Sequence, residues 1–168
     1  IISLALCLCL LLPMGSAMAA GSANAIYFTM GEEDLLRIAA FEHTVVGTDG
    51  LVRDLKSNSH PRGFGTFPRA FRLFVKEHKL MSAEQMIHKM TGLTAQRFGL
   101  KNKGIIADGM DADLVLFDPE TVADLGDFVR PDRGNTGFAC VVVNGEIALE
   151  NDQPTGALAG KLLFRERF

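Results

Sequence analysis

The hydrophobic pattern divides the chain unevenly. No charged residue precedes Glu32, and residues 1–12 are almost wholly apolar until Pro13 interrupts them. Ala17-Met18-Ala19 then forms an A-x-A-like cleavage site, so residues 1–24 read as an apolar leader, either signal-like or a helix buried in a longer protein. About a dozen apolar residues are too few to cross a bilayer.

Beyond the leader, two periodicities alternate. Ala25-Ile26-Tyr27-Phe28 is strand-favouring, and Thr29-Met30-Gly31-Glu32 matches a capping box that predicts a helix running to about Ala40. His43-Thr44-Val45-Val46-Gly47 follows as a second strand, which makes a βαβ unit and therefore parallel strands. Residues 50–66 hold Asn58, Pro61, Gly63 and Gly65 and read as a long loop, of the kind that carries function. Thr66 is the expected N-cap of the next helix, whose Phe67, Phe71, Phe74, Val75 and His78 form one buried stripe. Ser82-Ala83-Glu84-Gln85 is another capping box, with Met81 and Met86 at the staple positions, and predicts a helix over 83–90. Thr94 is expected to cap one more short helix that Gly99 ends.

After residue 102 the pattern turns to strands. Asp113-Leu114-Val115-Leu116-Phe117 is stopped by Asp118-Pro119, and the apolar runs at 140–143 and 146–149 flank Asn144-Gly145. Asn-Gly between such runs is the strongest short hairpin signal. The chain thus divides into the leader (1–24), a helical and βαβ part (25–102) and a small β-rich part (103–168).

Composition narrows the class. At 168 residues the chain can bury a core, and a net charge of -3 with 48% hydrophobic residues excludes both disorder and a polyanion-seeking surface, so nucleic acid is not an expected partner. Three cysteines without a CxxC pair exclude a disulfide scaffold or a cysteine-rich zinc fold.

Asp49 is the leading chemical candidate. An apolar strand delivers it, between Thr48 and Gly50, to the strand's C-terminal end just before the long loop, where barrel enzymes keep their active sites. A carboxylate there can hold a metal or shuttle a proton, although Asp-Gly after a strand is also an ordinary turn. His60 in the loop can approach the same pocket, with Arg62 and Arg69 as candidate anchors for a carboxylate substrate. His43, His78 and His88 read as packing or solvated residues, and no HxH or HExxH spacing occurs. Gly63-Phe64-Gly65 and residues 104–109 lack the spacing of a phosphate loop.

Three stretches together carry a resemblance: Gly47-Thr48-Asp49-Gly50, His60-Pro61-Arg62-Gly63-Phe64-Gly65-Thr66-Phe67-Pro68-Arg69, and Lys89-Met90-Thr91-Gly92-Leu93-Thr94-Ala95-Gln96-Arg97-Phe98-Gly99-Leu100. From about Tyr27 onward the chain resembles the C-terminal part of the N-acyl-D-amino-acid deacylases, the D-aminoacylases. Residues 104–109 with Ala112–Asp118 resemble a signature shared across the wider amidohydrolase superfamily.

The resemblance implies an α/β fold, the C-terminal fragment of a (β/α)8 metal-dependent hydrolase barrel followed by a small β-sandwich part. The apolar leader would then be a partial barrel helix or a signal. Zinc is the implied cofactor of the complete enzyme, and a small N-acyl amino acid the implied substrate. Asp49 matches the last-strand aspartate that sits beside the metal and passes a proton from the attacking water to the departing amine. Met30 and His60 match substrate-lining positions. The family's other metal ligands have no counterpart among the motifs of this sequence. Two rivals are a cyclic-amide hydrolase of the hydantoinase or dihydroorotase type and a noncatalytic remnant. The family implies a cytoplasmic protein, a true signal an exported one.

Overall fold

The computed structural model describes residues 30–50 and 60–163; the leader, the apolar run at 25–28, Thr29 and loop residues 51–59 lie outside the described residues. Helix α1 spans Glu32–Ala40, and Glu32, Glu33 and Asp34 place three negative charges at its positive end. Its N-cap is Gly31, which has no side chain to offer, so Glu32 opens the helix and is not the third residue of a capping box. After α1 the chain turns at Phe41 and runs through Thr44–Gly50 without forming a strand. The expected second strand of the βαβ unit is therefore not realised among the described residues. A strand exists only where a neighbour completes its hydrogen bonds, and no described segment pairs with this one as a strand.

Helix α2 (Arg62–Phe71) begins four residues before the expected cap, with Pro61 at the N-cap. It is kinked at Gly65, whose φ of -126° and ψ of 18° are not helical. The helix restarts after the kink, so Pro68 falls in a fresh first turn where its missing N–H costs nothing. Thr66 is not a cap, and its hydroxyl donates to the Arg62 carbonyl at 2.8 Å. A π-helical turn, Arg72–Glu77, extends the rod. Of the expected phenylalanine stripe, Phe71 and Phe74 are buried while Phe67 is exposed.

Helix α3 (Ala83–Met90) carries the capping box read from the sequence: Gln85 N donates to Ser82 Oγ at 3.3 Å, and Ser82 N donates to Gln85 Oε1 at 2.9 Å. Helix α4 (Gly92–Phe98) ends at Gly99 in the left-handed conformation, as expected. Its N-cap is Thr91; Thr94 lies inside the helix and donates to the Lys89 carbonyl at 2.7 Å.

Among the described residues six strands follow: β1 (Leu114–Phe117), β2 (Ala123–Asp124), β3 (Asn135–Thr136), β4 (Phe138–Val143), β5 (Glu146–Glu150) and β6 (Gln153–Pro154). They form an antiparallel sheet in the order β1-β4-β5-β6 and a separate β2–β3 ribbon. The β4–β5 hairpin turns at Asn144 (φ 48°) and Gly145 (φ 84°), two consecutive left-handed residues whose hand matches strand twist.

Helices and strands share one core. Ala70, Phe71, Phe74 and Met86 bury against Val122, and Phe117 meets Phe71 edge-on at 5.3 Å between ring centroids. The closest seam lies where α2 crosses the ribbon. A Cβ on Gly65 would stand 2.7 Å from Asp124 Cβ, so only glycine permits that approach. Asp124, its side chain 2% exposed, receives Arg69 Nε at 2.6 Å and Arg72 Nη2 at 3.2 Å, and Asn135 Nδ2 donates to the Phe64 carbonyl at 2.9 Å.

Candidate active site

Asp49 sits at the tip of the unpaired segment in a tight turn. Gly50 N donates to Thr48 Oγ1 at 3.1 Å, and Asp49 itself adopts a φ of 46°, an uncommon conformation outside glycine that aspartate tolerates better than most residues. The turn docks on the start of α2, where a Cβ on Gly50 would lie 3.4 Å from Gly63 Cα. One carboxylate oxygen, Asp49 Oδ2, pairs with Arg62 Nη1 at 2.9 Å; the aspartate side chain is 88% exposed and the arginine 42%.

His60 joins the same arginine from the other side of Pro61. Its Nδ1 accepts the Arg62 backbone N–H at 3.0 Å, and its ring stands edge-on to Phe128 at 5.3 Å. Since Nδ1 is an acceptor, the proton of the neutral ring resides on Nε2. Burial, then the charges of Arg62 and Arg69, hold His60 below its ordinary pKa of 6.5, and Asp49 opposes them only in part. The imidazole is therefore neutral at pH 7, with its proton on Nε2. An NMR titration of the ring protons should give a midpoint below 6.5; a midpoint above it would show that Asp49 outweighs the two arginines. Because the folded pKa is depressed, this histidine's contribution to stability is intact above 6.5 and falls away as the pH drops below it.

The sequence candidates separate in space. Asp49 and His60 converge on Arg62. Met30, 58% exposed ahead of α1, does not line the nearby hollow of about 340 Å3, and neither does Asp49. That hollow is walled mainly by apolar side chains, among them Leu35, Val46, Leu73 and Phe74, with His60 and Arg62 also in its wall. Arg69 spends its Nε on Asp124 and its Nη2 on the Gly126 carbonyl, which ties it to the ribbon. His43 lies beside Glu42 and His78 beside Glu32, both pairs at the surface. Among the described residues no group of three His, Cys, Asp or Glu side chains is close enough to hold a metal ion, so Asp49 and His60 do not by themselves make a metal site.

Two residues with defined roles escaped the sequence reading. Asp124 gave no local signal, since its partners lie more than fifty residues away. Lys89 did give one: it stands between Met86 and Leu93 on the buried face of the helical region, a charged residue in an apolar stripe.

Comparison with known proteins places the chain. The Amidohydrolase family model matches residues 40–149. A D-aminoacylase of Alcaligenes xylosoxydans xylosoxydans is 46% identical over 143 residues, 85% of this chain and 29% of that protein. A D-aminoacylase crystal structure, described as defining a novel subset of amidohydrolases, superposes with a TM-score of 0.75 at 45% identity, covering 80% of this chain and 28% of that one. The N-acyl-D-glutamate deacylase of Bordetella bronchiseptica, solved with zinc and a phosphonate mimic of the tetrahedral intermediate, gives 0.69 at 38% identity over 76% of this chain and 27% of its own. This chain, spanning under a third of the length of these relatives, belongs to the amidohydrolase family.

Proposed function

We propose that this chain is the C-terminal part of a zinc-dependent hydrolase that cleaves the acyl amide of N-acyl-D-amino acids, releasing a carboxylate and a free D-amino acid. The observation that carries the reading is the 46% identity with a D-aminoacylase along 85% of the chain, a stretch that includes the Asp49 turn and the His60–Arg62 motif docked on it. In this reading residues 25–102 supply the last strands and helices of a (β/α)8 barrel, and residues 103–168 the β-rich part of a composite sandwich. Segment 44–50, unpaired among the described residues, would then pair with neighbouring strands of that barrel.

Each side chain has a task. Asp49 accepts the proton of the attacking water and returns it to the nitrogen of the departing amine. Arg62 offers five N–H donors, few of which a single carboxylate oxygen uses, and so can also take the α-carboxylate of the substrate. His60, whose Nδ1 accepts the Arg62 backbone N–H, steadies the start of α2 at the substrate side, and Met30 contributes apolar contact. Zinc, when bound, supplies Lewis-acid activation; its remaining ligands belong to parts of the enzyme outside the described residues.

The test is substrate class. The complete gene product should release amine from N-acetyl-D-amino acids and leave hydantoins and dihydroorotate intact. Hydrolysis of the cyclic amides alone would transfer the chain to a cyclic-amide hydrolase.

A further inference from the structure

Lys89 is 8% exposed on α3, and a buried ammonium persists only where its donors are met. Its Nζ has three N–H bonds to give and three acceptors around it: the Phe41 carbonyl, Thr44 Oγ1 at 3.0 Å and the Thr44 carbonyl at 3.3 Å. Burial lowers its pKa from the ordinary value, while Glu42 works in the opposite direction. All three acceptors belong to the turn between α1 and the segment that bears Asp49. Phe41 is the residue that ends α1, and Thr44 opens the run that leads to Asp49.

The described residues make no ladder bonds to the run between Thr44 and the Asp49 turn, and in the complete barrel neighbouring strands would supply them; what the described residues fix is where the run starts. Lys89 grips the run at its start and Arg62 at its tip, while Val46 packs against the core between them. Asp49 lies five residues beyond Thr44, so a shift of the turn by about 1 Å, passed along the run, moves the carboxylate by a similar amount. A displacement of that size is enough to cost about 10²-fold in a proton transfer that depends on alignment.

We propose that Lys89 is a positioning residue for Asp49, acting through the Phe41–Thr44 turn and touching no substrate. The inference rests on the assignment of Asp49 given above. Lysine suits the place because a compact, rotatable ammonium satisfies three converging oxygens, a geometry that arginine's planar fork does not match.

The test uses the complete enzyme with Lys89→Met and Thr44→Val, read by hydrogen exchange and by steady-state kinetics at fixed metal content. Lys89→Met should speed amide exchange over residues 42–50 about tenfold while leaving the β4–β5 hairpin unchanged. It should also lower kcat about 10- to 100-fold with KM within about twofold. Thr44→Val, which removes one of the three acceptors, should shift both readouts in the same direction by about threefold, and it decides the matter if Lys89→Met does not fold. Unchanged exchange over 42–50, a rise spread evenly across the chain, or a kcat within twofold of wild type would overturn the proposal. A wild-type enzyme without deacylase activity would instead refute the assigned reaction, and the exchange data would still report whether the clamp exists.

Discussion

Asp49→Asn in the complete enzyme should lower kcat by about 10²- to 10⁴-fold, the range expected when a positioned general base is removed. The substitution is chosen for what it keeps. An asparagine fits the same turn, tolerates the same left-handed backbone, and still presents an oxygen to Arg62, so the docking of the turn on α2 survives. What it removes is the ability to take up and release a proton. KM should therefore move by only a few-fold, because Arg62 and His60 remain in place, and thermal stability should stay within a degree or two. A loss of less than tenfold in kcat, with binding intact, would mean that the proton is handled elsewhere and that Asp49 is an ordinary turn residue.

The second large effect concerns stability. Asp124→Ala should destabilise the fold by about 3–5 kcal/mol, as measured by denaturant unfolding. Its carboxylate is almost fully enclosed and receives both Arg69 and Arg72, so truncation leaves two guanidinium groups facing each other over an empty place. The cost is a large share of the roughly 5–15 kcal/mol that holds an ordinary domain together. Because the pair joins α2 to the β2–β3 ribbon, helical and strand signals should be lost together, at a lower denaturant midpoint. A change below about 1 kcal/mol would show that the partial exposure of the arginines lets water replace the carboxylate.

Local chemistry made much of this fold legible. The Asn144-Gly145 hairpin, the Ser82–Gln85 box and the Gly99 terminus each follow from a few adjacent residues whose backbone preferences point the same way. The start of α2 is hard to place because His60-Pro61-Arg62-Gly63-Phe64-Gly65 is rich in loop formers, yet Arg62–Phe64 form a helical turn that ends at the Gly65 kink, where α2 meets Asp124. Strands β2, β3 and β6 have two residues each, too few for any periodicity to show. The run at 43–47 has strand composition, yet composition cannot supply the neighbour that a strand requires.

The candidate site divides along the same line. That Asp49 lies at the end of an apolar run, close to a loop histidine, was readable from order along the chain. Its pairing with Arg62, the diversion of Arg69 to Asp124 and the three-way grip of Lys89 depend on contacts between distant segments. Arg62 and Arg69 are equivalent candidates in the sequence; only the ribbon, arriving fifty-five residues later at Asp124, distinguishes them.

The most direct measurement is stereochemical. Racemic N-acetyl amino acid is incubated with the complete, zinc-loaded gene product, and the released amino acid is resolved on a chiral column. The account predicts that free D-amino acid appears with an equal amount of acetate, while the L-substrate is recovered unchanged. Release of the L-amino acid, or no release at all from a correctly folded, metal-replete protein, would contradict it.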